Sequence, residues 1–328
     1  MNEFKLKTRE WEDLLSYSQK KKYANAIRNG YFSTYHGIGW RHDTFYGAYI
    51  WKHPGRVKVV KRFENLIGHR PGWEDITDDN LQDFYAELRD NYAPNSVRTI
   101  CAEIAAVIRE NNPTKSIPSA QFGKLMKSKK VPVRNVFLSM NEIRTLRSYV
   151  PKLHTDRYVL RMFLIECLTG ARKSDSEKLS PQNINADNKT LTYVSKKSHI
   201  EVTVPIHKWL RPLLVKGDPL EPDSVPTATY NRCIQRICKK CGINNRVKVF
   251  NGGQEETGQK WKFVTSHTGR RSFATNLALK GVSIEQISLM MGHMSGNVPN
   301  ISMTQGYIVG KMKLDSKVFD VFGTTTDY

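Results

Sequence analysis

No stretch of this chain is apolar enough for long enough to cross a bilayer. Its first residues, Met1-Asn2-Glu3-Phe4-Lys5, lack the apolar run of a signal peptide, so a chain retained in the cytoplasm, with no membrane partner, is expected. Cysteine is scarce. Five residues, an odd number without a secretion signal, point to free thiols in a reducing compartment rather than to disulfides. Three of them, Cys233, Cys238 and Cys241, fall in a helical pattern with Tyr230, Ile234 and Ile237, which places the thiols on or beside an apolar stripe; core packing is favoured over zinc. Acidic residues are also few: 31 against 51 Lys and Arg, a formal charge of +20. Such a field attracts polyanions and makes nucleic acid the leading partner, although charge alone leaves a ribosome-associated protein, or a basic surface without ligand, open.

A length of 328 residues exceeds what one core usually fills, so two domains are expected. Residues 1–39 read as a basic N-terminal arm, with Lys20-Lys21-Lys22 and a Gly- and aromatic-rich stretch. Residues 40–112 read as a small helical domain. Its clearest signal is Val97, Ile100, Cys101, Ile104, Ala105 and Ile108, which recur at three- and four-residue steps and end at Asn111-Asn112-Pro113; Val59, Phe63, Leu66 and Ile67 mark an earlier helix, and Leu81, Phe84, Tyr85 and Leu88 another. Residues 113–135 carry Lys115, Lys124, Lys127, Lys129, Lys130 and Arg134, no acidic residue and three prolines, the pattern of a basic linker able to track a phosphate backbone.

From 136 to 328 helices alternate with a short sheet. Val159, Leu160, Phe163, Leu164, Cys167 and Leu168 predict a helix stopped at Gly170, and Ser174-x-x-Glu177 predicts a capping box for the next, which sets Arg172 at the corner between them. Leu191 and Tyr193, then Ile200, Val202 and Val204, alternate as strands about the turn Ser195-Lys196-Lys197-Ser198. Further on, Ser266 to Leu277 reads as a helix on which His267 and Arg270 share a face, with Arg270 one turn from Phe273, Ala274 and Leu277. A guanidinium beside an apolar stripe needs an anionic partner, and a structural carboxylate would serve as well as a ligand. Two more capping boxes, Ser283-x-x-Gln286 and Ser302-x-x-Gln305, predict a helix ending before His293 and a short helix bearing Tyr307.

Four blocks in this order, Thr169-Gly170-Ala171-Arg172-Lys173-Ser174-Asp175, His267-x-x-Arg270-Arg271-Ser272-Phe273-Ala274-Thr275, Met291-Gly292-His293 and Met303-Thr304-Gln305-Gly306-Tyr307, resemble the signature of the tyrosine recombinases, or phage integrases. The resemblance covers roughly the C-terminal 190 residues, and the helical domain and basic linker before them are similar to the family's core-binding, SAM-like half. It implies a mainly α fold with a small antiparallel sheet, a helical core-binding domain and a mixed α+β catalytic domain forming a C-shaped clamp. One departure is visible. The gap from His293 to Tyr307 is a few residues longer than the family usually shows, which bears on the loop over 294–301 more than on the nucleophile.

By this resemblance Tyr307 attacks a DNA phosphodiester, leaving a 3′-phosphotyrosine and a free 5′-hydroxyl. Arg172 and Arg270 clamp the phosphate, since guanidinium forks match its nonbridging oxygens. His267 handles a proton near the nucleophile, His293 donates to the phosphate, and Asp175 orients a neighbour. Lys197, with Lys196 as the alternative, protonates the leaving oxygen. Lys124, Lys127, Lys129, Lys130, Arg134 and Arg271 are the expected DNA contacts, and neither cofactor nor metal is expected. The implied partners are double-stranded DNA at recombination sites and three further copies of the chain; the resemblance also admits an accessory DNA-bending protein. Integration and excision of a mobile element is the favoured role, with inversion, dimer resolution or a type IB topoisomerase as alternatives, and a non-catalytic DNA-binding protein as the rival of another class.

Overall fold

The structure, a computed structural model, describes residues 44–309 apart from 132, 134, 188, 252 and 253. The arm over 1–39, Arg134 and the tail containing Val318, Phe319, Val321 and Phe322 therefore lie outside the described residues. None of the described helices is long and apolar enough to cross a membrane. The chain divides into two compact units, residues 1–131 and 132–328.

The first unit is helical: α1 (Phe45–Lys52), α2 (Val57–Ile67), α3 (Asp78–Asn91), α4 (Pro94–Asn111) and the single turn α5 (Phe122–Leu125). Local chemistry sets these ends. Thr77 caps α3 by accepting from the Asn80 amide at 3.1 Å, with Asp78 and Asp79 at the positive end of the helix dipole. Pro94 opens α4, where its missing N–H is no loss. The periodic residues of α4 are all buried, whereas Leu66 of α2, expected on the apolar face, is exposed. Phe63 stacks on Phe84 at 4.7 Å and meets Phe45 edge-on at 6.0 Å in the centre of the core.

The linker expected over 113–135 is not free chain up to Val131. Ser119 bonds Ile76 O through its amide at 2.7 Å and Asp78 through its hydroxyl, Met126 is buried in the first unit's core, and Val131 exchanges two hydrogen bonds with the Asn95 side chain at 2.9 and 3.0 Å. Ile117, Phe122 and Leu125 also pack there, because apolar side chains are spaced between the lysines closely enough to hold a turn of helix down. Lys124, Lys127, Lys129 and Lys130 stay exposed.

In the second unit α6 (Met140–Ser148), α7 (His154–Thr169) and α8 (Lys173–Ser176) are followed by an antiparallel sheet of β1 (Ile184–Asn185), β2 (Thr190–Val194) and β3 (Glu201–Pro205). Register pairs Leu191 with Val204 and Tyr193 with Val202, so the alternation in sequence sends these four inward while Thr192 and Thr203 face out. Next come α9 (Leu210–Leu213), α10 (Thr227–Lys240), the hairpin β4 (Arg246–Asn251) and β5 (Gln254–Gln259), then α11 (Ser266–Ala278), α12 (Ile284–Met290), the small hairpin β6 (Met294–Ser295) and β7 (Val298–Pro299), and α13 (Ile301–Gln305). Helix α7 is buried on nearly every side and packs against α10 and α11. Cys233 and Cys238 are buried in α10 and Cys241 lies just past its end; among the described residues no group of His, Cys, Asp and Glu could hold a metal.

Of the three capping boxes read in sequence, one start stands as read: Ser283 accepts from Gln286 N at 3.3 Å and opens α12. Ser174 caps nothing. Arg172, in extended conformation, takes the N-cap position and Ser174 falls inside the one-turn α8. Asn300 rather than Ser302 caps α13, by accepting from Met303 N at 2.9 Å; the helix thus starts earlier, ends at Gln305 and leaves Tyr307 in the turn beyond it.

Candidate active site

Two glycines bring the first two sequence blocks together. Gly170 ends α7 at φ +67°, in the left-handed region, and a Cβ there would lie 2.5 Å from the Phe273 ring. Gly269 lets α11 press against α7, since its Cβ would stand 2.8 Å from that of Glu166. Arg270, the next residue, is only 1% exposed. It donates to Gly170 O, to Met291 O and, at 2.9 Å, to His293 Nε2, while its Nε–H is buried without a partner among the described residues. A buried guanidinium with an unspent donor is prepared for an anion. Burial, then nearby Arg172, lowers the Arg270 pKa.

Tyr307 completes this floor from the same chain. Its half-buried ring lies 5.0 Å from the His293 ring and has the Arg270 and Arg271 guanidinium carbons 5.5 and 5.8 Å from its centre. The longer gap before it is absorbed locally. Asn300 N donates to His293 O at 2.7 Å, closing the β6–β7 hairpin as a side excursion, so the extra residues do not displace α13.

The rim is built on α8 and the β2–β3 tip. Arg172 donates to Ser195 Oγ at 2.9 Å, and Asp175, buried, accepts from Ser195 Oγ at 3.2 Å and from Lys196 N at 3.0 Å. Asp175 thus fixes the base of the tip and the side chain beside Arg172. Lys197 and His267 are exposed, and a cleft of about 270 Å³ is lined by Arg172, Ser174, His267 and Arg270. Partial withdrawal from water, then Arg271, Arg270, Arg172 and Lys197, lower the His267 pKa. Lys197 is among the charges that act on His267.

Arg271 is half-buried over the Tyr307 ring, because the α11 face that carries it packs against the turn after α13. His293 Nε2 lies 2.9 Å from Arg270 Nη2, and its Nδ1 lies 3.0 Å from Thr304 Oγ1. Burial, then Arg270 and Arg172, push the His293 pKa down to about 3, so the ring is neutral at ordinary pH. Thr304, Ser288, Ser195 and Glu166 escaped the sequence reading. Thr304 lies within the fourth block and Ser195 in the predicted turn, so position alone was the available signal.

Two arginines, one of them buried, and a histidine line one cleft, and a second histidine and a tyrosine lie beside the buried arginine, an arrangement suited to a phosphodiester. Residues 136–312 match the Phage integrase family, and the chain belongs to that family: it is a tyrosine recombinase, an enzyme that cleaves and rejoins DNA. It is similar to tyrosine recombinase XerC of Natranaerobius thermophilus, at 25% identity over 253 residues, 72% of this chain and 79% of that protein. Its fold resembles the Tn1549 transposon integrase in complex with circular intermediate DNA (TM-score 0.58, 16% identity, 86% of this chain and 98% of the other). A lambda integrase dimer bound to a COC′ core site is similar as well (TM-score 0.56, 16% identity, 92% and 99%).

Proposed function

We propose that this recombinase integrates and excises a mobile element, with Tyr307 as the nucleophile acting within its own subunit. The observation that carries the reading is the Tyr307 ring held 5.5 Å from Arg270 and 5.0 Å from His293 inside one chain. The phenolic oxygen attacks the phosphorus as its proton passes to neutral His267, and the bond to the 5′-oxygen breaks with a proton supplied by Lys197. A 3′-phosphotyrosine and a 5′-hydroxyl result. Attack by the 5′-hydroxyl of a partner strand reverses these steps and releases Tyr307, and because the covalent intermediate keeps the bond energy, no nucleotide is consumed. Arg172 and Arg270 neutralise the charge that grows on the nonbridging oxygens.

Strand exchange between two duplexes needs four such subunits, and a tetramer is the proposed working form. An apolar groove of about 990 Å³, lined by Leu168, Phe273, Leu277, Leu289 and Met290 among others, is suited to an apolar segment of a neighbouring copy, and the tail sequence with Val318, Phe319, Val321 and Phe322 is of that character. Lambda integrase has been seen as a tetramer bound to a Holliday junction. The mobile-element role draws support from the likeness to a transposon integrase and from the basic arm expected over 1–39. The chemistry is tested with a nicked suicide substrate, on which cleavage cannot be reversed. Tyr307→Phe should bind this DNA as the wild type does and form no covalent adduct; an adduct that persists rejects Tyr307.

A further inference from the structure

The inward face of β2 continues one step past its last residue. Leu191, Tyr193 and Ser195 are buried and alternate with half-buried or exposed neighbours, so the period that seats the first two in the core also turns the Ser195 hydroxyl inward, toward α8. There it lies between two opposite charges. Arg172 Nη1 is 2.9 Å from Ser195 Oγ, and Ser195 Oγ is 3.2 Å from Asp175 Oδ2. A guanidinium only donates and a carboxylate only accepts, so the hydroxyl takes a hydrogen from Arg172 and gives its own to Asp175. Arg172 and Asp175 themselves stand 4.0 Å apart, beyond hydrogen-bond reach.

The tip that carries Lys197 does not need this hydroxyl. Ser195 N donates to Ile200 O at 2.9 Å, His199 N to Ser195 O at 2.8 Å and Lys196 N to Asp175 Oδ1 at 3.0 Å, so backbone groups close the turn and moor it to Asp175. The Arg172 side chain has no second hold of that kind: among the described residues Ser195 is its one hydrogen-bond acceptor. Ser195 and Asp175 are 1% and 3% exposed, which leaves bulk water no access to the place of the hydroxyl. Without it, a carboxylate short of a donor and a guanidinium short of an acceptor face each other across a gap that a small side-chain rotation closes. A direct pair with Asp175 would occupy the fork that a phosphate needs.

We infer that Ser195 is a positioning residue for DNA cleavage, a neutral spacer through which the Asp175 charge orients Arg172 while the two are kept from pairing directly. This rests on the reading of Arg172 as a phosphate clamp. Ser195 acts through the arginine and on no reacting atom. A serine suits the place because one small hydroxyl offers an acceptor to the guanidinium and a donor to the carboxylate at once.

The test is cleavage of the nicked suicide substrate at saturating DNA, with affinity for the same DNA measured beside it. Ser195→Ala should bind as the wild type does and cleave on the order of tenfold more slowly, as misaimed catalytic groups do. Ser195→Cys, which fills the space with a weak acceptor, should be slowed alike, and a wild-type rate in either variant overturns the inference. With sulfur as the leaving 5′-atom, which departs without a proton, the Ser195→Ala defect should persist because it lies in the clamp; recovery would mean that the hydroxyl serves only the tip bearing Lys197. In an Asp175→Asn background there is no carboxylate for Arg172 to pair with, so Ser195→Ala should cost about twofold at most. The same loss in both backgrounds would refute the spacer. Arg172→Lys keeps this apart from the clamp: a wild-type rate there rejects the clamp itself, whereas a large loss there beside an unaffected Ser195→Ala removes the spacer alone.

Discussion

The floor and the rim of the cleft are built on opposite plans. On the floor Arg270, His293, Thr304 and Ser288 are fully buried and hydrogen-bonded to one another. On the rim Lys197 and His267 are exposed, and Arg172 donates to Ser195 and lies 4.0 Å from the Asp175 carboxylate. Folding completes the floor before any DNA arrives; the rim keeps its donors for the substrate. Preorganised charge needs no rearrangement during reaction, whereas a proton donor for a leaving group must be able to approach and withdraw.

Substitutions on the two sides should therefore fail differently. Arg270→Lys gives the largest effect after loss of the nucleophile. One ammonium cannot serve Gly170 O, Met291 O and His293 Nε2 together and still meet a phosphate, and cleavage should fall on the order of a thousandfold. Lys197→Ala should cost about a hundredfold, a usual share for general acid catalysis. Replacing the leaving 5′-oxygen by sulfur separates them: a thiolate departs without a proton, so rates recover for Lys197→Ala and not for Arg270→Lys. Recovery of both, or of neither, would erase the distinction between floor and rim.

Beneath the floor lies a carboxyl that sharpens the contrast. Glu166 is fully buried in α7, accepts from Tyr230 OH at 2.8 Å and has its second oxygen unpartnered among the described residues. Burial raises its pKa to about 8, against the Tyr230 hydroxyl, Lys173 and Ser176, which lower it. Between the ordinary carboxylate range and about 8 the folded protein holds a proton that the unfolded chain has released, so stability declines as pH rises through that window and levels off above it. Glu166→Gln removes the decline, worth at most about 1.4 kcal/mol per pH unit. Urea unfolding at several pH values across that window should show the variant gaining on the wild type as pH rises. A difference that does not change with pH would mean that the carboxyl is already ionised in the folded protein.

The parts of the site legible in sequence were those that chemistry ties to residue type. Arg172, Arg270, His267, His293 and Tyr307 could be named because the four blocks that carry them resemble the family's signature. The sheet register was legible too, from the alternation of Leu191, Tyr193, Val202 and Val204. Roles set by a neighbour's hydrogens were not. Nothing in the string of letters says that Arg270 turns to His293 Nε2, or that Thr304 meets His293 Nδ1. The capping errors have the same origin: Ser174 and Ser302 have the right spacing, but the corner at Gly170 and the side chain of Asn300 fix where each helix begins. The β4–β5 hairpin was missed because only Val249 among its described side chains is well buried, so the alternation that marks strands is nearly absent.

The smallest expected effect concerns which basic residues meet the DNA backbone. Lys124, Lys127, Lys129 and Lys130 are exposed on the first unit, and each that neutralises a phosphate should reduce the slope of log affinity against log salt by about 0.9 when changed to alanine, with little change in cleavage at saturating DNA. Arg271 was expected to behave in the same way from sequence, and its surroundings argue otherwise. Its guanidinium lies over the Tyr307 ring, and burial lowers its pKa, so it is withdrawn from the ion atmosphere that generates the salt slope. Arg271→Ala should leave the slope as it is and slow cleavage by loosening the ring that carries the nucleophile. A shallower slope with an unchanged rate would return Arg271 to the backbone contacts and move one residue from the floor to the rim.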